Sequence, residues 1–142
     1  MELELQQDYV NCLENTSHLL EREETCEMIV PDACPDIAEI LDSEGSIYIR
    51  RKQAEDGRAE CTGKLQVTVL YRPEDDPKLR TLEIPLPFTC SVESATLTSR
   101  SEMVAEGYIQ KVEVRVLNPR KILVRVEYRI QLQCYAPQTI AI

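Results

Sequence analysis

The chain has 142 residues, enough for one domain with a buried core. Its 25 Asp and Glu outweigh 16 Lys and Arg, and the formal net charge of −9 is spread along the chain. That balance gives no basic footprint for nucleic acid and disfavours an anionic membrane surface.

No apolar run approaches the roughly 20 residues that a membrane helix needs. The opening MELELQQDYV is acidic and has no apolar core of a signal peptide, so a cytosolic chain is expected. Cys12, Cys26, Cys34, Cys61, Cys90 and Cys134 show no Cys-x-x-Cys spacing. In a reducing compartment they are expected as free thiols, mostly core residues on strand faces, with a disulfide or a metal role as the lesser readings.

In chain order, residues 1–24 read as an extended arm or a strand. Leu3 and Leu5 alternate with Glu2 and Glu4, but Tyr9, Leu13, Leu19 and Leu20 keep no clean period. Cys26, Met28 and Val30 then share a face up to Pro31. Two Pro-Asp pairs, Pro31-Asp32 and Pro35-Asp36, make a stiff connector. The following Ile-Ala-Glu-Ile-Leu predicts one short helix near residues 36–42. Pro35 and Asp36 would stand at its start, Ile37, Ile40 and Leu41 would form its buried stripe, and Gly45 would end it.

Strands follow. Ile47 and Ile49 share one face, and Glu55-Asp56-Gly57 signals a turn. Leu65, Val67, Val69 and Tyr71 face inward on a long strand that leads into the polar loop RPEDDPK. Leu82, Ile84, Leu86, Phe88, Cys90 and Val92 form the next inward face. Pro85 and Pro87 lie on its other side and predict a strand at a sheet edge or paired on one side only. A Ser/Thr-rich loop spans residues 93–102.

The clearest signal is the pair of alternating runs around Leu117-Asn118-Pro119-Arg120-Lys121. Val112, Val114 and Val116 precede it; Ile122, Val124, Val126, Tyr128, Ile130, Leu132 and Cys134 follow. Period two with β-branched residues around Asn-Pro predicts a hairpin at the centre of a sheet, with a bulged or longer loop rather than a tight two-residue turn. Residues 135–142 are read as a tail. The whole predicts one all-β domain over residues 1–142, an antiparallel sandwich or open barrel of about six to eight strands with one short helix.

The residues offer no catalytic constellation. His18 is the only histidine, and its setting suggests a surface residue rather than a general base. The four glycines are isolated, so no phosphate-binding loop is expected. Neither a zinc spacing nor an ordered calcium loop is present. Glu74-Asp75-Asp76 and Glu21, Glu23 and Glu24 read as solvated acids. The expectation is a non-enzyme without cofactor or metal. Pro31, Asp32, Pro35, Asp36 and Glu39 are a candidate lip for a partner's Arg or Lys, weighed against a rigid connector that caps the sandwich. Asn118, Pro119, Arg120 and Lys121 are the candidate hairpin.

Four runs carry a resemblance. VPDACPDIAEILDSEGSIYI, CTGKLQVTVLYRPEDD, LEIPLPF and KVEVRVLNPRKILVRVEY together resemble the SPOCS domain of SipL-like spore-coat proteins from endospore-forming Firmicutes. The likeness extends from about Leu3 to Leu132, with Pro119 standing where the family would have glycine. It implies a non-catalytic scaffolding module of the mother cell, at the forespore or spore-coat surface, working through protein–protein contacts. The coat ATPase SpoIVA is an implied partner. SipL-like proteins make that contact through a C-terminal LysM domain, which this sequence does not contain. Self-association through sheet edges is a further expectation. The alternatives are a self-assembling β-protein or a ligand- or glycan-binding sandwich of the cell envelope.

Overall fold

The computed structural model describes residues 9–141, and the side chains of residues 15–136. Six antiparallel strands run in chain order: β1 (Tyr9–Ile29), β2 (Ile37–Glu55), β3 (Arg58–Pro73), β4 (Arg80–Glu93), β5 (Glu102–Asn118) and β6 (Lys121–Ala141). They form two three-stranded sheets, β1-β6-β5 and β2-β3-β4. The fold is the expected all-β, sandwich-like class.

The two central strands carry the core. On β6, Ile122, Val124, Val126, Tyr128, Ile130, Leu132 and Cys134 are buried; on β3, so are Cys61, Leu65, Val67, Val69 and Tyr71. Their other faces alternate outward, as period two requires. Leu82 to Val92 of β4 complete the layer, and the Phe88 ring packs on Tyr128 with centroids 5.3 Å apart. The two sheets approach most closely along β2 and β5. There Ile47 lies over Gly107, and Val112 over Gly45.

β4 is an edge strand, as Pro85 and Pro87 predicted. The register from Arg58↔Glu93 to Tyr71↔Arg80 passes through both prolines without a shift. Their hydrogen-free nitrogens belong on the open edge, where they remove two donors that another strand would use.

Several expectations are corrected. There is no helix at residues 36–42: β2 begins at Ile37, and Gly45 lies inside it opposite Val67. Ile37 is buried and Ile40 packs on the core, but Leu41 is 44% exposed, because strand geometry separates neighbours that a helix would bring together. Two bulges, at Ile37/Glu39 and Ile40/Asp42, blur the alternation there. Of the two readings of residues 1–24, the strand rather than the arm holds from Tyr9: β1 pairs with β6 along its whole length, and residues 1–8 lie outside the described residues. Residues 135–141, read as a tail, continue β6. His18, expected at the surface, is half-buried. It sits on the inner face of β1, and its Nε2 is shielded without a hydrogen-bond partner.

Cys61 and Cys90 are direct cross-strand partners inside the β3–β4 sheet, and both are buried. The neighbouring Cys90 thiol and burial push the Cys61 thiol up, and burial does the same for Cys26 and Cys134. The Cys26, Cys61 and Cys134 thiols stay protonated near neutral pH, and these side chains pack as small apolar groups.

Candidate functional site

The lip and the hairpin, read as separate candidates, meet at one end of the sandwich. The chain leaves sheet one at Ile29 and enters sheet two at Ile37, so residues 30–36 are the crossover between the sheets. A crossover is costly unless its backbone groups find partners. Here the β5–β6 turn supplies them.

Pro119 and Arg120 form a two-residue loop between the paired Asn118 and Lys121, with a bulge between Val116 and Asn118. The bulge agrees with the sequence reading, but the loop is tighter than expected. Among the described residues none other than glycine takes a positive φ, so Pro119 is accommodated without the left-handed conformation that a glycine would supply. The Arg120 amide donates to Asn118 Oδ1 at 2.8 Å and fixes the turn.

From that turn the Arg120 guanidinium reaches across the crossover. Nη1 donates to the Cys34 carbonyl at 2.6 Å and to Asp36 Oδ1 at 3.1 Å. Nη2 donates to the carbonyls of Val30 and Pro31, each at 2.9 Å. The backbone closes the same contact, with the Val30 amide on the Arg120 carbonyl at 2.8 Å and the Ile37 amide on the Pro119 carbonyl at 2.9 Å. Tyr71 Oη donates to the Pro35 carbonyl at 3.1 Å, and the Glu74 amide donates to the Asp36 carbonyl at 3.0 Å. One planar fork satisfies four acceptors, a task that the point charge of a lysine could not perform.

This geometry divides the lip residues. Asp36 is held by Arg120, and Glu39 pairs with Arg72 at 3.2 Å on the sheet surface. Pro35 is tied down through its carbonyl. Asp32 is exposed at the tip of the turn closed by the Cys34 amide on the Pro31 carbonyl at 2.8 Å, and it forms no ion pair with a described residue. Lys121 pairs with Glu27 at 2.8 Å. The sequence singled out both segments but gave no sign that Arg120 joins them. Tyr71 was assigned only to the core; its hydroxyl serves the crossover as well.

Of the other acids singled out by the sequence, four find side-chain partners, while Glu74 and Asp75 stay exposed without an ion pair among the described residues. Glu21 meets Arg129 at 3.3 Å, Glu23 meets Arg125 at 2.7 Å, and Glu24 accepts the Tyr128 hydroxyl at 3.0 Å. Burial and that bond push the Tyr128 hydroxyl well up. Asp76 accepts the Lys78 amide at 2.9 Å and pairs with Arg80, and its carboxyl is held below the usual range. No group of three potential metal ligands occurs among the described residues.

The fold and its clasped crossover therefore define a two-sheet β domain whose distinguishing residues act on the backbone. The sequence matches the family described as SipL, SPOCS domain over residues 36–117, more than half of the chain, and the chain belongs to that family. The matched span opens at Asp36 of the clasp and closes one residue before the β5–β6 turn, so β1, β6 and Arg120 lie outside it. Neither the curated proteins nor the solved structures yielded a match.

Proposed function

We propose that this domain is a non-catalytic scaffolding module of spore-envelope assembly. It acts in the mother cell at the forespore or coat surface, through protein–protein contacts. Membership of the SipL SPOCS family carries the reading. The crossover supports it. Arg120 fixes residues 30–36 and leaves the Asp32 carboxylate on a preorganised turn, where it loses little conformational freedom on meeting a partner's Arg or Lys. SpoIVA is one candidate for that partner.

A fluorescently tagged copy followed through sporulation is expected to form a shell around the forespore. Diffuse signal throughout would count against the reading. The Asp32→Ala variant is expected to keep the stability of the parent within about 0.5 kcal/mol, as an exposed substitution should. It is also expected to weaken capture by the mother-cell partner about tenfold, the scale of one charge-assisted contact. Unchanged capture in a pull-down would remove the lip from consideration. Asp36 is unsuited to that test, because its loss also disturbs Arg120.

A further inference from the structure

An acidic chain that carries a concentrated basic patch has a use for it. Among the described residues, Arg58, Arg72, Arg80, Lys111, Arg120, Lys121, Arg125 and Arg129 each have an acidic partner; of the cations without one, Arg22, Lys78, Arg100 and Arg115 stand singly in the sequence, whereas Arg50, Arg51 and Lys52 are consecutive and Lys64 lies on the neighbouring strand opposite Tyr48. The patch results from a backbone device. Ile47 and Ile49 face inward, so strict alternation would drive Arg51 toward the core. A bulge between Ile49 and Arg51 breaks the alternation opposite Gly63 and Thr62, and Arg50, Arg51 and Lys52 all emerge exposed. Beside them Tyr48 is half exposed, with Lys64 Nζ 5.8 Å from its ring centre. Exposed Tyr with Arg is the composition of a contact hot spot.

The complement is at the other end of the same molecule. Asp32, Glu74 and Asp75 are exposed and form no ion pair with a described residue. The bond from the Glu74 amide to the Asp36 carbonyl sets the β3–β4 loop beside the crossover. Along β2 the two ends are separated by on the order of 40 Å, at about 3.3 Å per residue, so one chain cannot satisfy itself.

We infer that the Arg50–Arg51–Lys52 patch docks the Asp32/Glu74/Asp75 end of a second copy of this chain, head to tail. This rests on the reading of Asp32 as a contact residue, and it names a partner for that end. A head-to-tail contact between unlike surfaces leaves one free surface at each end and grows into open chains, which suits a component of an extending layer.

The test is sedimentation velocity on the full chain at about 50 mM and about 500 mM NaCl, which shortens the screening length severalfold. The parent is expected to form concentration-dependent species without a fixed size at low salt, and to return to monomer at high salt. A patch variant (Arg50→Glu, Arg51→Glu, Lys52→Glu) and an end variant (Asp32→Lys, Glu74→Lys, Asp75→Lys) should each be monomeric. Mixed, they offer one native contact and one with both charges exchanged, so open-ended association should return. A milder Arg50→Gln, Lys52→Gln variant, with circular dichroism to check its fold, should associate about tenfold more weakly than the parent. A monomeric parent at low salt would overturn the inference, as would single variants that associate like the parent or a mixture that stays monomeric. A monomeric parent that binds vesicles containing anionic phospholipid would assign the patch to a membrane instead, and overturn it too. If Asp32→Ala loses partner capture while self-association is untouched, the lip reading stands and this inference falls.

Discussion

Gly63→Ala is expected to cost at least about 3 kcal/mol, the upper range for overpacking a well-filled site. Gly63 stands opposite the β2 bulge, paired with Ile49. A methyl group there would overlap the Tyr48 carbonyl oxygen and come within 2.8 Å of Phe88 Cζ. Neither neighbour can yield cheaply. The carbonyl belongs to a paired strand, and Phe88 is 4% exposed and packed at a tilt against Tyr128. Relief would require straightening the bulge, and that would turn Arg51 inward as an uncompensated charge. In a urea titration the midpoint should fall by about 1.5 M, taking a slope of about 2 kcal/mol per M. Gly57→Ala is the control. Gly57 takes a φ of 79° in the β2–β3 turn with nothing within 4 Å, so only backbone strain of about 1 kcal/mol is at issue. Equal and small losses at the two glycines would show that the bulge is not held by close packing.

The same bulge explains what the sequence could and could not disclose. β3, β4 and β6 are legible because each carries an unbroken inward set, from Leu65 to Tyr71, Leu82 to Val92 and Ile122 to Cys134. β1 was legible only toward its end, at Cys26 and Met28, because its earlier inner face includes Thr16, His18 and Glu24 in place of an apolar run. Polar inward residues on an edge strand hide the period and also guard the edge. The start of β2 was misread as a helix because Ile37, Ile40 and Leu41 fit a spacing of three and four, and two bulges in succession remove the alternation that would have contradicted it. The candidate site was half legible. Proline and aspartate at residues 31–36 marked a constrained connector, and Asn-Pro marked a turn. A single arginine has no periodicity, so nothing in the pattern joined Arg120 to a segment more than 80 residues earlier.

That long-range join also changes what the prolines and aspartates of the crossover mean. Asp36 opens the span matched to the family, yet its carboxylate faces a residue of its own chain. Its position is explained by assembly of the two sheets, without appeal to a ligand. Asp32, four residues earlier and outside that span, is exposed and has no ion-pair partner among the described residues. The clasp therefore separates an aspartate held by its own chain from an exposed, unpaired one within a motif that looks uniform in sequence.

Arg120→Ala is the experiment that tests the division. The ion pair alone is a minor part. The side chains of Arg120 and Asp36 are 36% and 44% exposed, and a pair so wetted contributes well under about 1 kcal/mol after screening. The larger share lies in the three carbonyls of Val30, Pro31 and Cys34, which would lose a charged donor together. Water can reach part of this site, so the loss should fall below the sum of three separate charge-assisted bonds and amount to about 2–3 kcal/mol. Arg120→Lys keeps the charge but cannot span both pairs of acceptors, and should lose about half as much. Asp36→Ala should lose about 1 kcal/mol or less. Arg72→Ala, which breaks only the surface pair with Glu39, should stay within about 0.5 kcal/mol of the parent. Hydrogen exchange gives a local readout, because the Val30 and Ile37 amides donate to the Arg120 and Pro119 carbonyls and should lose protection ahead of the β3 and β6 cores. If Arg120→Ala unfolds at the same urea concentration as Arg72→Ala and leaves those two amides protected, the clasp does not hold the crossover. Asp36 would then rejoin Asp32 as a residue available to a partner.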